Sequence, residues 1–135
     1  MSETRPPSTA PPPAGQRLPL APLFFGVAAA PSAWTVVHLV AYPLASFACY
    51  PDHTPRLAPR AGWGGTHAGL VLLSLAMLAL ALAGGWTSRR NLRRSAPGAG
   101  RSRYFAICGL VATLLFAGAI VADIVVLLSV GPCRD

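Results

Sequence analysis

Two polar side chains, His38 and Asp123, lie inside long apolar segments of the sequence. Asp123 is the only acidic residue in these segments, and a carboxylate inside a membrane costs about 2.5–3.5 kcal/mol on insertion scales. An imidazole and a carboxylate that share a proton or form an ion pair lower each other's burial cost. The two residues therefore predict a proton-handling pair, a partner-docking pair or a structural clasp between helices. Otherwise Asp123 is protonated or faces a partner chain.

The position of each residue along its segment predicts that the pair meets within the chain. His38 precedes Cys49 by eleven residues, and Asp123 precedes Cys133 by ten. With a rise of about 1.5 Å per residue, both side chains lie at nearly the same depth if their helices run in the same direction.

An aromatic and polar stripe surrounds His38. Trp34, His38 and Tyr42 are spaced by four residues and so share one face of a helix. Such a face favours contact with protein rather than lipid, and we interpret it as a partner-docking face. His38 is also a conceivable heme ligand, but the apolar segments offer no obvious second axial ligand, so no cofactor is predicted.

Cys49 and Cys133 close two apolar segments and allow two competing kinds of chemistry. In an oxidising compartment they form a disulfide that ties the first helix to the third. Alternatively, they combine with His53 and His67 to bind copper or zinc. The two alternatives exclude each other, and the spacing matches no compact metal motif, so no metal is predicted. Cys108 is expected to remain a free thiol.

The composition indicates a membrane protein. The 135 residues are 53% hydrophobic and 11% charged, against about 25% charged in a typical soluble domain. All 11 basic residues are arginines, and the formal net charge is +7. The arginines lie between apolar runs without an aromatic stacking platform, which argues against a nucleic-acid partner.

The apolar runs predict an all-α membrane protein with three transmembrane helices. Residues 1–17 are rich in proline and are expected to form a disordered cytoplasmic tail. Residues 18–135 form the membrane domain, whose spans are predicted at about 31–49, 64–87 and 104–131.

The start of the first span depends on Pro31, because proline suits the first turn of a helix. Residues 18–30 are then an interfacial segment or a kinked continuation. Pro43 falls inside the span, where a membrane helix tolerates it.

The arginine distribution predicts the orientation. Arginines mark the loops that remain in the cytoplasm, so the side with more of them is the inner side. Three arginines fall on the predicted outer side, Arg56, Arg60 and Arg134. The amino terminus is therefore placed in the cytoplasm and the carboxyl terminus in the periplasm. The eight arginines of the predicted inner side are Arg5, Arg17, Arg89, Arg90, Arg93, Arg94, Arg101 and Arg103.

Short motifs give a resemblance to a known group. The segment Ala30-Pro31-Ser32-Ala33-Trp34, followed by His38, Tyr42 and Cys49, is one part of it. The other is Arg103-Tyr104-Phe105-Ala106, with Gly109, Leu115-Phe116, Ile120 and a final Pro132-Cys133. Over residues 25–133 the chain resembles small uncharacterised bacterial inner-membrane proteins often encoded near heme–copper cytochrome c oxidase genes. Many members have glycine where this chain has Ala30. The resemblance implies a respiratory association and no catalytic activity.

These observations lead to one principal functional hypothesis. The chain is expected to be a non-catalytic accessory subunit or assembly factor of a respiratory heme–copper oxidase in the bacterial inner membrane, docking other subunits through its helices. The alternatives are a metal- or heme-handling membrane protein and a subunit of a proton-coupled transporter. An enzyme is not expected, because three spans enclose little volume and no catalytic motif is recognisable.

Overall fold

A computed structural model describes residues 19–50, 61–95, 100–129 and 133. It contains three helices: α1 is Leu20–Cys49, α2 is Trp63–Arg94 and α3 is Gly100–Ser129. Each is long and apolar enough to cross a membrane. At about 1.5 Å per residue the helices measure roughly 45–48 Å, more than the hydrocarbon thickness of about 30 Å. The prediction of an all-α fold with three candidate spans is confirmed, while the predicted tail, residues 1–17, lies outside the described residues.

The first helix begins earlier than the predicted span boundary at residue 31. Pro31 and Pro43 both lie inside α1, which is continuous from Leu20, so residues 20–30 are a helical continuation of the predicted span. Proline in a helix lacks the N–H of its backbone hydrogen bond and crowds the carbonyl one turn earlier, and a membrane helix compensates locally for the freed backbone group. The carbonyl of Pro31 also accepts a bond of 2.8 Å from the Thr35 hydroxyl. Proline inside an apolar run is therefore a weak marker of a helix start in this chain.

The second and third helices extend past their predicted spans at the end that is rich in arginine. Helix α2 continues to Arg94 rather than ending near residue 87, and α3 begins at Gly100 rather than at residue 104. The roughly two turns added to α2 carry Arg89, Arg90, Arg93 and Arg94. Basic residues suit the carboxyl end of a helix, because they lie close to the negative end of its dipole.

The helices run up, down and up, with each one packed against the other two. At one end, the Asn91 amide of α2 donates a bond of 3.2 Å to the carbonyl of Pro22 in α1. At the other end, His67 of α2 lies 2.8 Å from the carbonyl oxygen of Leu127 in α3. Helices α1 and α3 are therefore parallel to each other and antiparallel to α2.

The core is built from small side chains. Buried alanines meet Ile120 at the centre, and Trp34, Met77 and Phe116 pack around them. Small side chains allow membrane helices to approach closely, which is how packing stabilises a bundle that lacks a hydrophobic driving force between helices. The buried members of this cluster are Ala30, Ala33, Ala81, Ala117 and Ile120.

Glycines make the closest helix contacts. A Cβ added at Gly109 would collide with the hydroxyl of Ser88 and lie 2.7 Å from the carbonyl oxygen of Gly26. A Cβ at Gly26 would meet the same hydroxyl. Gly26, Ser88 and Gly109, which we call the glycine junction, thus bring the three helices together at one point.

Candidate functional site

His38 and Asp123 meet across the interface between α1 and α3. Nδ1 of His38 lies 3.8 Å from Oδ2 of Asp123, and the side chains are 45% and 33% exposed, respectively. This distance suits an ion pair when the imidazole is protonated, but it exceeds hydrogen-bond length. Oδ2 is buried, and it has no hydrogen-bond partner within the described part of the chain. One carboxylate oxygen of the pair therefore lies inside an apolar bundle without a hydrogen bond from the described residues.

The His38 ring is held in place by its own helix. Nδ1 lies 3.2 Å from the carbonyl oxygen of Trp34, one turn earlier, and that oxygen accepts a bond when Nδ1 carries a proton. The indole of Trp34 lies against the imidazole, with ring centroids 4.2 Å apart. Trp34 in turn contacts Phe116 of α3 at a centroid distance of 5.5 Å. A contact between helices thus orients the imidazole.

A shallow groove opens beside this pair. It has a volume of about 230 Å³ and lies between the second half of α1 and the last turns of α3. Its walls are apolar except at His38, Tyr42 and Asp123. We call it the polar groove, and it is lined by Val37, His38, Ala41, Tyr42, Ala45, Asp123, Val126 and Leu127.

The three residues of the predicted docking face have different environments. Trp34 is half-buried against the core, whereas Tyr42 is 77% exposed on the perimeter of the bundle. His38 lies between these extremes, at the edge of the polar groove. The surface available to a partner is therefore formed by His38, Tyr42 and Asp123, while Trp34 supports it from within.

Cys49 and Cys133 are joined by a disulfide bond, with their Cα atoms 5.4 Å apart. An intact disulfide offers no thiolate to a metal, and His67 is engaged with Leu127. His53, the remaining candidate ligand, lies outside the described residues. Where the chain is described, no group of three or more His, Cys, Asp or Glu side chains could hold a metal ion. Cys108 is a free thiol.

Several contacts between helices have only weak sequence signals. Pairs of small residues four positions apart, which let membrane helices approach closely, occur at Ala41 with Ala45, at Ala81 with Gly85, both buried, and at Gly118 with Ala122. However, a Cβ at Gly118 would meet nothing within 4 Å. Ser88 and Asn91 are buried polar residues just beyond the predicted end of the second span. Extending the second helix beyond residue 87 would have placed Ser88 and Asn91 on its inward face, and polar residues on that face would have marked a contact between helices.

The six arginines of the segment between the second and third spans lie at one end of the bundle, where α2 ends and α3 begins. Trp86 lies exposed just before them, beside Arg89, Arg90 and Arg93 in a small surface cleft. A tryptophan at this position is typical of a membrane–water interface. We call this region the arginine end, formed by Arg89, Arg90, Arg93, Arg94, Arg101 and Arg103.

Fold and site together define a class of protein: a helical protein whose three long apolar helices are suited to a multi-pass arrangement in a membrane. No family model matches the chain, and no curated protein or solved structure is detectably similar to it.

Proposed function

We propose that the protein is a non-catalytic membrane subunit that docks a transmembrane helix of another protein in the polar groove. The observation that supports this most strongly is the partly exposed His38–Asp123 pair. Polar residues within membrane helices almost always face a bundle interior or a water-filled cavity, because hydrocarbon leaves them without partners. Here both side chains lie at the perimeter of the bundle, in an otherwise apolar groove.

A second helix in the groove would remove this cost. A partner that brings a hydrogen-bond donor to the carboxylate, or a polar group to the second ring nitrogen of His38, satisfies groups that lipid cannot satisfy. The exposed ring of Tyr42 adds a large apolar contact and a hydroxyl at the same surface. The recognition is therefore polar at its centre and apolar at its rim.

The orientation belongs to the same proposal. The arginine end faces the cytoplasm, because loops rich in arginine are retained there, so the carboxyl terminus is periplasmic. The compartment is the bacterial inner membrane, whose periplasmic side is oxidising and compatible with the Cys49–Cys133 disulfide.

The proposed partner is a respiratory heme–copper oxidase, for which the protein serves as an accessory subunit or assembly factor. This assignment rests on the sequence resemblance described above and on the need for a polar helix partner. The bundle contributes no chemistry of its own to the oxidase. Its role is to occupy and stabilise an intramembrane surface.

The experiment is purification of the tagged protein from its native membranes in a mild detergent, followed by a visible spectrum and mass spectrometry. We expect oxidase subunits and heme bands with the unmodified protein, and a clear loss of both with His38→Phe and with Asp123→Asn. Leu39→Ala, which trims an exposed side chain next to His38, is the matched control and should retain the complex. Unchanged complexes in both groove variants would refute the proposal.

A second candidate is a subunit of a proton-coupled transporter, and the same two groups favour it. An imidazole and a carboxylate 3.8 Å apart, both partly exposed, can exchange protons with a partner's pathway. Under this alternative, Asp123→Asn abolishes a pH-dependent flux while the complex still forms. Under the docking proposal, the complex itself is lost.

A further inference from the structure

We propose that a second groove, at the arginine end, binds an anionic phospholipid, with an acyl chain in the groove and the phosphate against Arg101. The groove has a volume of about 290 Å³ and lies between the first turns of α1 and α3. We call it the lipid groove. It is lined by Leu20, Leu23, Phe24, Arg101 and Phe105.

The interior of the lipid groove suits a hydrocarbon chain. Leu23 is buried, and the rings of Phe24 and Phe105 approach each other across the interface of α1 and α3 at a centroid distance of 6.1 Å. The exposed surface of the groove is almost wholly apolar. Its volume is close to the lower limit of about 300 Å³ for ligand sites, which suits part of one chain.

Charge complementarity identifies the headgroup. Arg101 is the only charged residue of the lining, and a guanidinium binds phosphate through two parallel hydrogen bonds. It lies at the start of α3, so its side chain can reach the headgroup level while Phe105, one turn further on, remains among acyl chains.

The surroundings add positive potential without a competing acid. Neither α1 nor α3 has an acidic residue in its first turn, and the amino-terminal ends of both helices carry the positive end of the helix dipole. Within the described residues the only carboxylate side chain is that of Asp123, 22 residues along α3 from Arg101, or roughly 33 Å. An anion at Arg101 therefore meets no repulsion from it.

The experiment is native mass spectrometry of the full-length protein in detergent, titrated with palmitoyl-oleoyl phosphatidylglycerol or with phosphatidylcholine carrying the same chains. We expect one phosphatidylglycerol molecule to bind at least five-fold more tightly than phosphatidylcholine. Arg101→Gln should reduce this preference at least three-fold. Arg89→Gln, which removes the same charge elsewhere at the arginine end, should leave it within a factor of about 1.5.

Two further measurements distinguish a site for a whole phospholipid from a site for phosphate alone. Phe24→Ala shortens the groove wall while retaining every arginine, and it should weaken binding of both lipids. It also preserves the test if Arg101→Gln fails to fold. Inorganic phosphate at millimolar concentration should not displace the lipid, because it has no chain to fill the groove. Equal affinities for the two lipids, an equal loss with Arg89→Gln, unchanged binding with Phe24→Ala or displacement by phosphate would each overturn the proposal.

Discussion

Nδ1 of His38 and Oδ2 of Asp123 lie 3.8 Å apart across the α1–α3 interface, and both residues line a groove on the perimeter of the bundle. The arrangement joins two helices but leaves a buried carboxylate oxygen without a hydrogen bond inside the described chain. An unsatisfied polar atom reduces the stability of the isolated bundle. The exposed part of the pair, by contrast, offers a polar contact to a partner helix at the surface of the bundle.

Asp123 is expected to lower the stability of the isolated bundle while favouring docking, and this gives the first prediction. Asp123→Leu removes the unsatisfied carboxylate, so the free energy of unfolding of the isolated protein in detergent should stay level or rise by about 1 kcal/mol. The same variant should lose the partner complex. Val125→Leu, which places a leucine on another exposed part of α3, is the control and should change neither property. A variant that is both less stable and still fully assembled would show that the pair is only a clasp.

The contact between His67 and Leu127 gives the second prediction. The carbonyl of Leu127 lies in the last turn of α3, where carbonyls lack donors from their own helix, and His67 lies 2.8 Å from it. His67→Ala should lower the free energy of unfolding by about 0.6 kcal/mol and by no more than about 1.7 kcal/mol, the average and the maximum found for hydrogen bonds between membrane helices. His67→Gln should recover part of the loss, because its amide can donate.

Unfolding in a denaturing detergent, followed by circular dichroism, measures this change. Thr87→Ala is the control on α2, because the Thr87 hydroxyl bonds only within its own helix, to Ala83. If Thr87→Ala and His67→Ala lower the free energy of unfolding equally, the contact between His67 and Leu127 has no stabilising role of its own.

The glycines give a third prediction, in which the same substitution has different effects at two sites of one helix. Gly109→Ala forces a methyl group against Ser88 and the backbone of Gly26, so it should lower the free energy of unfolding by about 1–3 kcal/mol. Gly118→Ala lies on the same helix in open space, and it should be neutral or stabilise by up to about 1 kcal/mol. The same unfolding assay compares them. Equal changes in the free energy of unfolding at the two positions would contradict the close packing of Gly109 at the glycine junction.

The disulfide gives a fourth prediction, which is a count of thiols. The protein has three cysteines, of which Cys49 and Cys133 are bonded and Cys108 is free. Maleimide labelling of the denatured protein from native membranes should modify one thiol without reductant and three after reduction. Mass spectrometry reads the number directly. Three labelled thiols without reductant would show that the bond does not form in the cell, and the metal alternative would then regain its two thiolates.

The number of spans and the proximity of His38 to Asp123 could be predicted from the sequence for simple physical reasons. An apolar run of membrane-spanning length with at most one charged residue has few other structures available to it. Counting at 1.5 Å per residue from Cys49 and Cys133 gives the relative depth of two residues on parallel helices. Composition and residue counting alone therefore predict the number of candidate spans and the proximity of His38 to Asp123.

The continuity of α1 and the contacts of Gly26, Ser88 and Asn91 could not be predicted in this way. Pro31 has the same local signature at the start of a helix and inside a membrane helix, and only packing distinguishes the two. Small residues are so frequent here that their spacing does not select Gly109, which is packed, over Gly118, which is open. Which face turns inward depends on the rotation of each helix, and that is decided by all three helices together.

The most direct test of docking in the polar groove is photocrosslinking in native membranes. The photoreactive residue p-benzoylphenylalanine replaces either Tyr42, at the groove, or Leu82, which is exposed on α2. We predict an adduct with a heme–copper oxidase subunit from position 42, its loss when Asp123→Leu is added, and none from position 82. No oxidase adduct from position 42, or equal adducts from both positions, would contradict the proposal.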